Sequence, residues 1–315
     1  MPRLHDLPAP AKINLFLHVT GRRADGYHLL QSVFVLLDWQ DTLHIETRAD
    51  GALHRHDLGA ALPPDDLCLR AARLLQAESG TAMGCDIHID KQVPWGAGLG
   101  GGSSDAATVL LALNRLWELH WPAARLEALA LRLGADVPFF VRGQPAWVEG
   151  VGEQITPIAL PAEVLDTPLV LLKPPVAIPT VAIFGSSLLK RDTKHATVAD
   201  FLAAPKRFGL NDLQEPAQAW RVDESAPGHA GDGRQISQAL GVMRTQFGHS
   251  RMTGSGSTVF SWLEPDTPAD LDTLIQSIQP GSHEGHWVGR VCRVLPHHPL
   301  LDRLSASRTD DDTVT

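Results

Sequence analysis

The stretch Pro94-Trp95-Gly96-Ala97-Gly98-Leu99-Gly100-Gly101-Gly102-Ser103-Ser104 holds five glycines and two serines in eleven residues, and an apolar helical pattern follows at once. Glycine lacks the Cβ that keeps a ligand off the backbone, and it adopts positive φ freely. Consecutive backbone N–H groups in such a segment can converge on an anion. A helix starting directly behind adds its own free N–H groups and the positive end of its dipole. The stretch therefore reads as a phosphate cradle between a strand and a helix. The alternative is a glycine-rich hinge without a ligand, at a high cost in backbone entropy.

Working outward, residues 11–19, 29–37, 41–47 and 85–90 alternate in polarity and read as strands, with a turn expected at residues 38–40. Residues 67–79 read as a helix entered behind Asp65 and Asp66 and stopped by Gly80. Behind the loop, Ser103 or Ser104 is the expected N-cap, and Ala106, Ala107, Val109, Leu110, Leu113, Leu116 and Trp117 recur at helical spacing. Pro122 opens a further helix and Gly134 closes it. Strands are expected at 146–148 and 155–158, around a turn at 150–152. The apolar strand 168–172 and the prolines Pro174, Pro175 and Pro179 suggest a junction near 160–165. Beyond it lie expected helices around 181–190, 197–203, 211–219 and 234–247, and strands at 250–253, 257–263 and 286–293. Residues 222–234 read as a polar loop, and the tail has the composition of a disordered end. Strands and helices mix without a regular β-α repeat, which predicts an α+β chain in two domains, 1–162 and 163–301, with a tail at 302–315.

Composition narrows the function. A chain of 315 residues, 43% hydrophobic, can build two proper cores. The net charge of −9 argues against a general nucleic-acid binder but leaves room for anionic small ligands in a locally basic pocket. The three cysteines Cys68, Cys85 and Cys292 are widely spaced, which favours a reduced, cytoplasmic protein over a disulfide or zinc framework. No signal-peptide core is present and no apolar run approaches the ~20 residues of a membrane span. His54-x-His56 and His297-His298 lack a third ligand and read as solvated surface histidines.

The loop is not a Walker A motif, because no lysine follows its glycines. Residues 96–101 match the dinucleotide fingerprint G-x-G-x-x-G, but Pro94 interrupts the strand before it. The next acid, Glu118, falls inside a helical pattern instead of ending a strand. Two other segments decide the matter. Pro10-Ala11-Lys12-Ile13-Asn14-Leu15 is followed by Gly21-Arg22-Arg23-Ala24-Asp25-Gly26-Tyr27-His28, and Met252-Thr253-Gly254-Ser255-Gly256-Ser257 lies far downstream. With the loop, they resemble in order and spacing the motifs of the galactokinase–homoserine kinase–mevalonate kinase–phosphomevalonate kinase (GHMP) superfamily, from about residue 8 to residue 293. The resemblance implies a two-domain α+β fold: an N-terminal domain like ribosomal protein S5 domain 2, a C-terminal α+β sandwich, and both substrates in the cleft between them. It implies an ATP-dependent kinase acting on an alcohol group, with Mg²⁺ bridging the β- and γ-phosphates. The Asp-Gly-Tyr-His ending resembles that of members whose acceptor carries a cytidyl group. A relative acting on another small alcohol, or a dinucleotide-binding oxidoreductase, is the alternative.

The resemblance also implies roles. Asp136, which by itself reads as a turn or N-cap residue, aligns with the catalytic base. Lys12, by itself an exposed strand lysine, aligns with the cation beside that base, where it would keep the carboxylate ionised. Pro94, Gly96, Ala97, Gly98, Leu99, Gly100, Gly101, Gly102, Ser103 and Ser104 would bind ATP, its phosphates on the backbone N–H groups of Gly98 to Ser103, with Lys91 and Asp66 near the adenine. A Ser103 or Ser104 hydroxyl is a candidate Mg²⁺ ligand, and no metal ligand is assigned. Tyr27 and His28 would read the cytosine with Phe184 on its other face. Thr180 and Asn14 would touch the substrate nearby. Asp66 departs from the family's asparagine, since a carboxylate cannot donate, and Trp95 is bulky for this loop. The partners implied are small molecules, with neither nucleic acid nor membrane, in a monomer or homodimer.

Overall fold

The computed structural model describes residues 1–221, 232–268, 270–278 and 286–309. Two long strands, β1 (Arg3–Arg22) and β2 (His28–Arg48), pair antiparallel over most of their length. Register shifts after Leu4, Pro10, Asn14 and Val19 bend the ribbon. As a result β1 feeds three cores in turn: Leu7 and Ala9 enter the first, Ala11, Ile13 and Leu15 the second, Leu17 and Val19 the third. The turn expected at residues 38–40 does not form. Trp39 is buried, and Asp38 exchanges both its N–H and its carboxylate with the backbone of Arg293, so a neighbouring segment meets the polar groups that suggested a turn.

There follow β3 (Leu53–Asp57), α1 (Leu67–Ser79), β4 (Gly84–Asp90), α2 (Gly101–Leu116), α3 (Ala123–Leu131), α4 (Val137–Arg142), β5 (Ala146–Glu149) and β6 (Gln154–Pro157). Next come α5 (Ala162–Leu165), β7 (Leu169–Lys173), α6 (Thr180–Gly185), α7 (Val198–Leu202), α8 (Gln214–Ala219) and α9 (Gly233–Phe247). The chain continues through β8 (Arg251–Met252), β9 (Val259–Trp262), α10 (Leu271–Ile278), β10 (Val288–Cys292), β11 (Val294–Leu295) and α11 (Pro299–Thr309). Among the described residues the strands form two sheets. One runs β3-β4-β2-β5-β6, with β1 and β11 also on β2; the other runs β10-β7-β9-β8. Among these strands of the described residues, β3 and β4 alone pair in parallel, which removes the doubly wound parallel sheet of a dinucleotide-binding oxidoreductase.

Side-chain alternation fixes the layers. On β2, Phe34 and Leu36 face α2 and α4, while Val33, Val35 and Leu37 face the second sheet through Leu169, Leu171, Phe260 and Trp262. Val170, Leu172 and Val259 point the other way, onto α9 and its neighbours. The result is helices, sheet, sheet, helices: an α+β molecule with its sheets face to face. Helix α2 starts earlier than expected, with Gly100 as N-cap in the left-handed region, so Ser103 and Ser104 lie in its first turn. Of the tail expected at 302–315, residues 302–309 are described and 310–315 lie outside the described residues. Residues 299–309 are helical because Leu300, Leu301 and Leu304 pack on the first core and Arg303 donates to the carbonyls of His5 and Asp6. The expected 222–234 loop falls mostly outside the described residues; only its end, from Asp232, is described, as the cap and start of α9. No described helix is long and apolar enough to cross a membrane, and the three cysteines are buried free thiols.

Candidate active site

The glycine loop is clamped from two sides. Gly98 has φ 74°, and a Cβ there would lie 2.4 Å from Thr253 O. Gly100 has φ 68°, and its Cβ would meet Phe140 Cζ at 2.9 Å and Lys12 Cγ at 3.0 Å. The loop is therefore wedged between the second glycine segment and the stem of Lys12, a fit only glycine allows. Thr258 N–H donates to Ala97 O (3.2 Å) and Lys12 N–H to Leu99 O (2.9 Å). The first bond of α2 runs from Ser104 N–H to Gly100 O (3.0 Å); the N–H groups of Gly101, Gly102 and Ser103 make no hydrogen bond among the described residues. Those three donors at a helix N-terminus form an anion cradle.

Pro94 through Ser103 line a cavity of about 480 Å³, closed by Leu62, Asp66, Leu67, Lys91, Ile178 and Gly256. Trp95 stands 52% exposed at its rim. Ser103 lines the cavity with its hydroxyl unpartnered among the described residues, whereas Ser104 Oγ is enclosed away from it. Lys91 lines the cavity too, yet its ammonium is held by Asp41 and by Asp105 (2.6 Å). Asp41 also accepts the N–H groups of Gln92 (2.6 Å) and Val93 (2.8 Å), so this buried cluster pins the segment leading into the loop. Burial opposes the charge on Lys91, but Asp105 and Asp41 outweigh it and raise its pKa. Burial pushes Asp105 well above the usual carboxylate range. Asp66 caps α1 through Leu69 N–H (3.1 Å) and pairs with Arg55 (2.9 Å), so its carboxylate is already engaged.

Beneath the loop lie Lys12 and Asp136, within reach of each other. Lys12 is buried, contrary to an exposed strand lysine, with Nζ 2.7 Å from Asn14 Oδ1 and 3.5 Å from Asp136 Oδ2, over the Phe34 ring. Asn14 is held on three sides: Nδ2 donates to Ser32 Oγ (2.8 Å), the backbone N–H donates to Thr253 Oγ1 (2.8 Å), and Oδ1 takes the lysine. Asp136 precedes α4 but makes no capping bond; its side chain is one-third exposed. A cation-fixed carboxylate open to solvent can accept a proton from a bound hydroxyl.

A second cavity of about 640 Å³ is lined by Arg22, Tyr27, His28, Val151, Thr180 and Phe184, among others. Thr180 borders both cavities and meets Ser255 Oγ at 3.1 Å. Tyr27 is 65% exposed at the rim. His28 stacks on Phe184 with ring centroids 5.0 Å apart and 29° between planes.

Comparison with known proteins fits this geometry. The GHMP kinases N terminal domain family matches residues 66–144. A protein of Methylibium petroleiphilum named 4-diphosphocytidyl-2-C-methyl-D-erythritol kinase is 59% identical over 94% of this chain and 96% of its own. The chain belongs to the 4-diphosphocytidyl-2-C-methyl-D-erythritol kinase family. The kinase of that name from Delftia acidovorans is 49% identical over 96% of this chain and 98% of its own. A crystal structure of 4-(cytidine 5'-diphospho)-2C-methyl-D-erythritol kinase superposes with TM-score 0.72 at 32% identity, covering 93% of this chain and 99% of that one. A mevalonate kinase crystal structure shares the fold alone, at TM-score 0.63 and 13% identity, over 93% and 99% of the two chains.

Sequence reading gave no role to Asp41, Asp105, Ser32 or Thr253, the last quoted only as part of a motif. Asp105 left a signal, a lone charge inside an apolar helical run. The others declare themselves only through partners far away in the chain. His54 and His56 are exposed beside Asp86 as expected, but His298 is fully buried.

Proposed function

We propose that this chain transfers the γ-phosphoryl group of ATP to the 2-hydroxyl of 4-diphosphocytidyl-2-C-methyl-D-erythritol, in the cytoplasm, on the non-mevalonate route to isoprenoid precursors. The observation that carries the reading is the placement of Lys12. Its backbone and stem brace the glycine loop at Leu99 and Gly100, while its ammonium reaches Asp136 and Asn14. One residue thereby links donor cradle and base.

In this reading the three free N–H groups of α2 receive the phosphates and stabilise charge as it builds on them. The Asp136 carboxylate takes the proton of the attacking hydroxyl, whose oxygen forms the new P–O bond as the bond to the β-phosphate oxygen breaks and ADP leaves. Lys12 and Asn14 orient that hydroxyl and hold the base. Mg²⁺, when bound, would neutralise the phosphates, and the Ser103 hydroxyl, which lines the first cavity, is an oxygen of the kind that would hold it. Tyr27, His28, Phe184 and Thr180 form the cytidyl pocket. Both cavities take residues from 1–162 and from 163–301, so in this reading chemistry occurs at the seam between the two halves. The test is ADP release with the cytidyl substrate against mevalonate and galactose. Saturable turnover of the first alone supports the assignment; preference for either of the others refutes it.

A further inference from the structure

We propose that Arg191 is a positioning residue that fixes the His28 imidazole as a single hydrogen-bond donor toward the pyrimidine edge of the acceptor substrate. This rests on reading the second cavity as the cytidyl pocket. Arg191 lies between α6 and α7 and lines neither cavity. Its Nε donates to His28 Nε2 (3.1 Å), Nη2 to the carbonyls of Phe184 (3.0 Å) and Ser186 (2.9 Å), and Nη1 to that of Leu189 (3.0 Å).

A guanidinium has donors only. His28 Nε2 must therefore present its lone pair, and the neutral ring carries its proton on Nδ1. Nδ1 makes no hydrogen bond among the described residues, and the ring lines the second cavity. Beside the donors of Arg22, Tyr27 and Thr180, the one of this ring's two nitrogens that can donate to a ligand there is Nδ1–H. Cytosine O2 and N3 are acceptors and complement it; the exocyclic amine does not. The same guanidinium holds the carbonyl of Phe184, on whose ring His28 stacks, so one side chain sets both the reader and the surface it leans on. Burial first, then the charges of Arg191 and Arg22, keep the His28 pKa below its ordinary value, so the ring stays neutral at neutral pH.

Nitrogen NMR of His28 in the wild-type chain reads the tautomer directly, and the expected result is a protonated Nδ1 with a bare Nε2. In Arg191→Met the ring loses that bias. KM for the cytidyl substrate rises about tenfold, as for loss of one oriented hydrogen bond, while kcat and the KM for ATP stay within about twofold. That KM also becomes pH-dependent near pH 6–7, where a released histidine titrates. Arg191→Lys, which keeps a donor, recovers part of the loss. A wild-type ring protonated at Nε2, or an unchanged cytidyl KM in a folded Arg191→Met chain, overturns the proposal. So does equal weakening of both substrates with a lowered melting temperature, which marks a merely structural role. A donor at Nε2 alongside normal turnover overturns this proposal alone; absence of turnover with the cytidyl substrate overturns the functional reading with it.

Discussion

In the proposed reaction Asp136 and Lys12 would divide the labour of one proton transfer, and their substitutions should separate. Asp136→Asn keeps the shape and removes the proton acceptor, so kcat falls about 10²–10⁴-fold with the KM for ATP little changed; steady-state kinetics against both substrates checks this. Near-normal turnover would remove Asp136 from its role. Lys12→Met should cost activity by a similar factor and some stability too, because Asn14 Oδ1 then loses its buried donor. The two residues differ in how far sequence alone exposed them. Each taken singly suggested something bland, a turn aspartate and a surface lysine, and only the motif resemblance paired them. Their 3.5 Å separation, the burial of Lys12 and the three-sided hold on Asn14 come from strand pairing and from Thr253, more than two hundred positions away. No local pattern encodes such contacts.

Helices were more legible than turns and loops. Alternation found the strand cores, and Asp66 and Gly80 bracketed α1 as caps. Where reading failed, tertiary partners had replaced local signals. Asp38 is partnered by Arg293 instead of turning the chain, and Gly100, not a serine, caps α2, since the tight approach of Phe140 and Lys12 admits no Cβ. Gly98→Ala tests this wedge. With φ 74° and Thr253 O in the way, the loop must shift, so ATP affinity should fall at least tenfold with a stability loss of about 1–3 kcal/mol. Isothermal titration and thermal melting report the two effects, and intact ATP affinity would mean that the loop does not need this fit. Helix α11 offers a test by pH. His298 Nδ1 accepts Leu300 N–H (3.2 Å) at the helix start, and burial depresses its pKa from 6.5 to about 4. The unfolded chain binds this proton more readily than the folded one. Its contribution is therefore complete above pH 6.5 and is lost as pH falls toward 4, on the order of 3 kcal/mol. His298→Asn keeps an acceptor but does not titrate, and should flatten the stability-against-pH curve in that window. An unchanged slope in the variant would assign the acid sensitivity to other groups.

The molecule as a whole is stitched at its seam. The core shared by the two sheets draws on β1, β2, β7 and β9, and β11 returns the chain to β2 after the second sheet is built. Composition and pattern disclosed the α+β class and two halves. They did not disclose that the C-terminal segment closes the first sheet, because a two-residue strand leaves no periodicity. Deletion from residue 293 onward uncovers Leu36 and Leu37 of β2 and should lower the melting temperature of the first sheet as well as the second. Calorimetry should then show a broadened transition where the full chain melts cooperatively. The two cavities also meet at this seam, at Thr180. The most direct test is an ADP-release assay with 4-diphosphocytidyl-2-C-methyl-D-erythritol and ATP, with phosphorus NMR of the product. The wild-type chain should give saturable turnover to the 2-phosphate, and Asp136→Asn should abolish most of it. A wild-type chain that leaves this substrate untouched, or phosphorylates it elsewhere, contradicts the account.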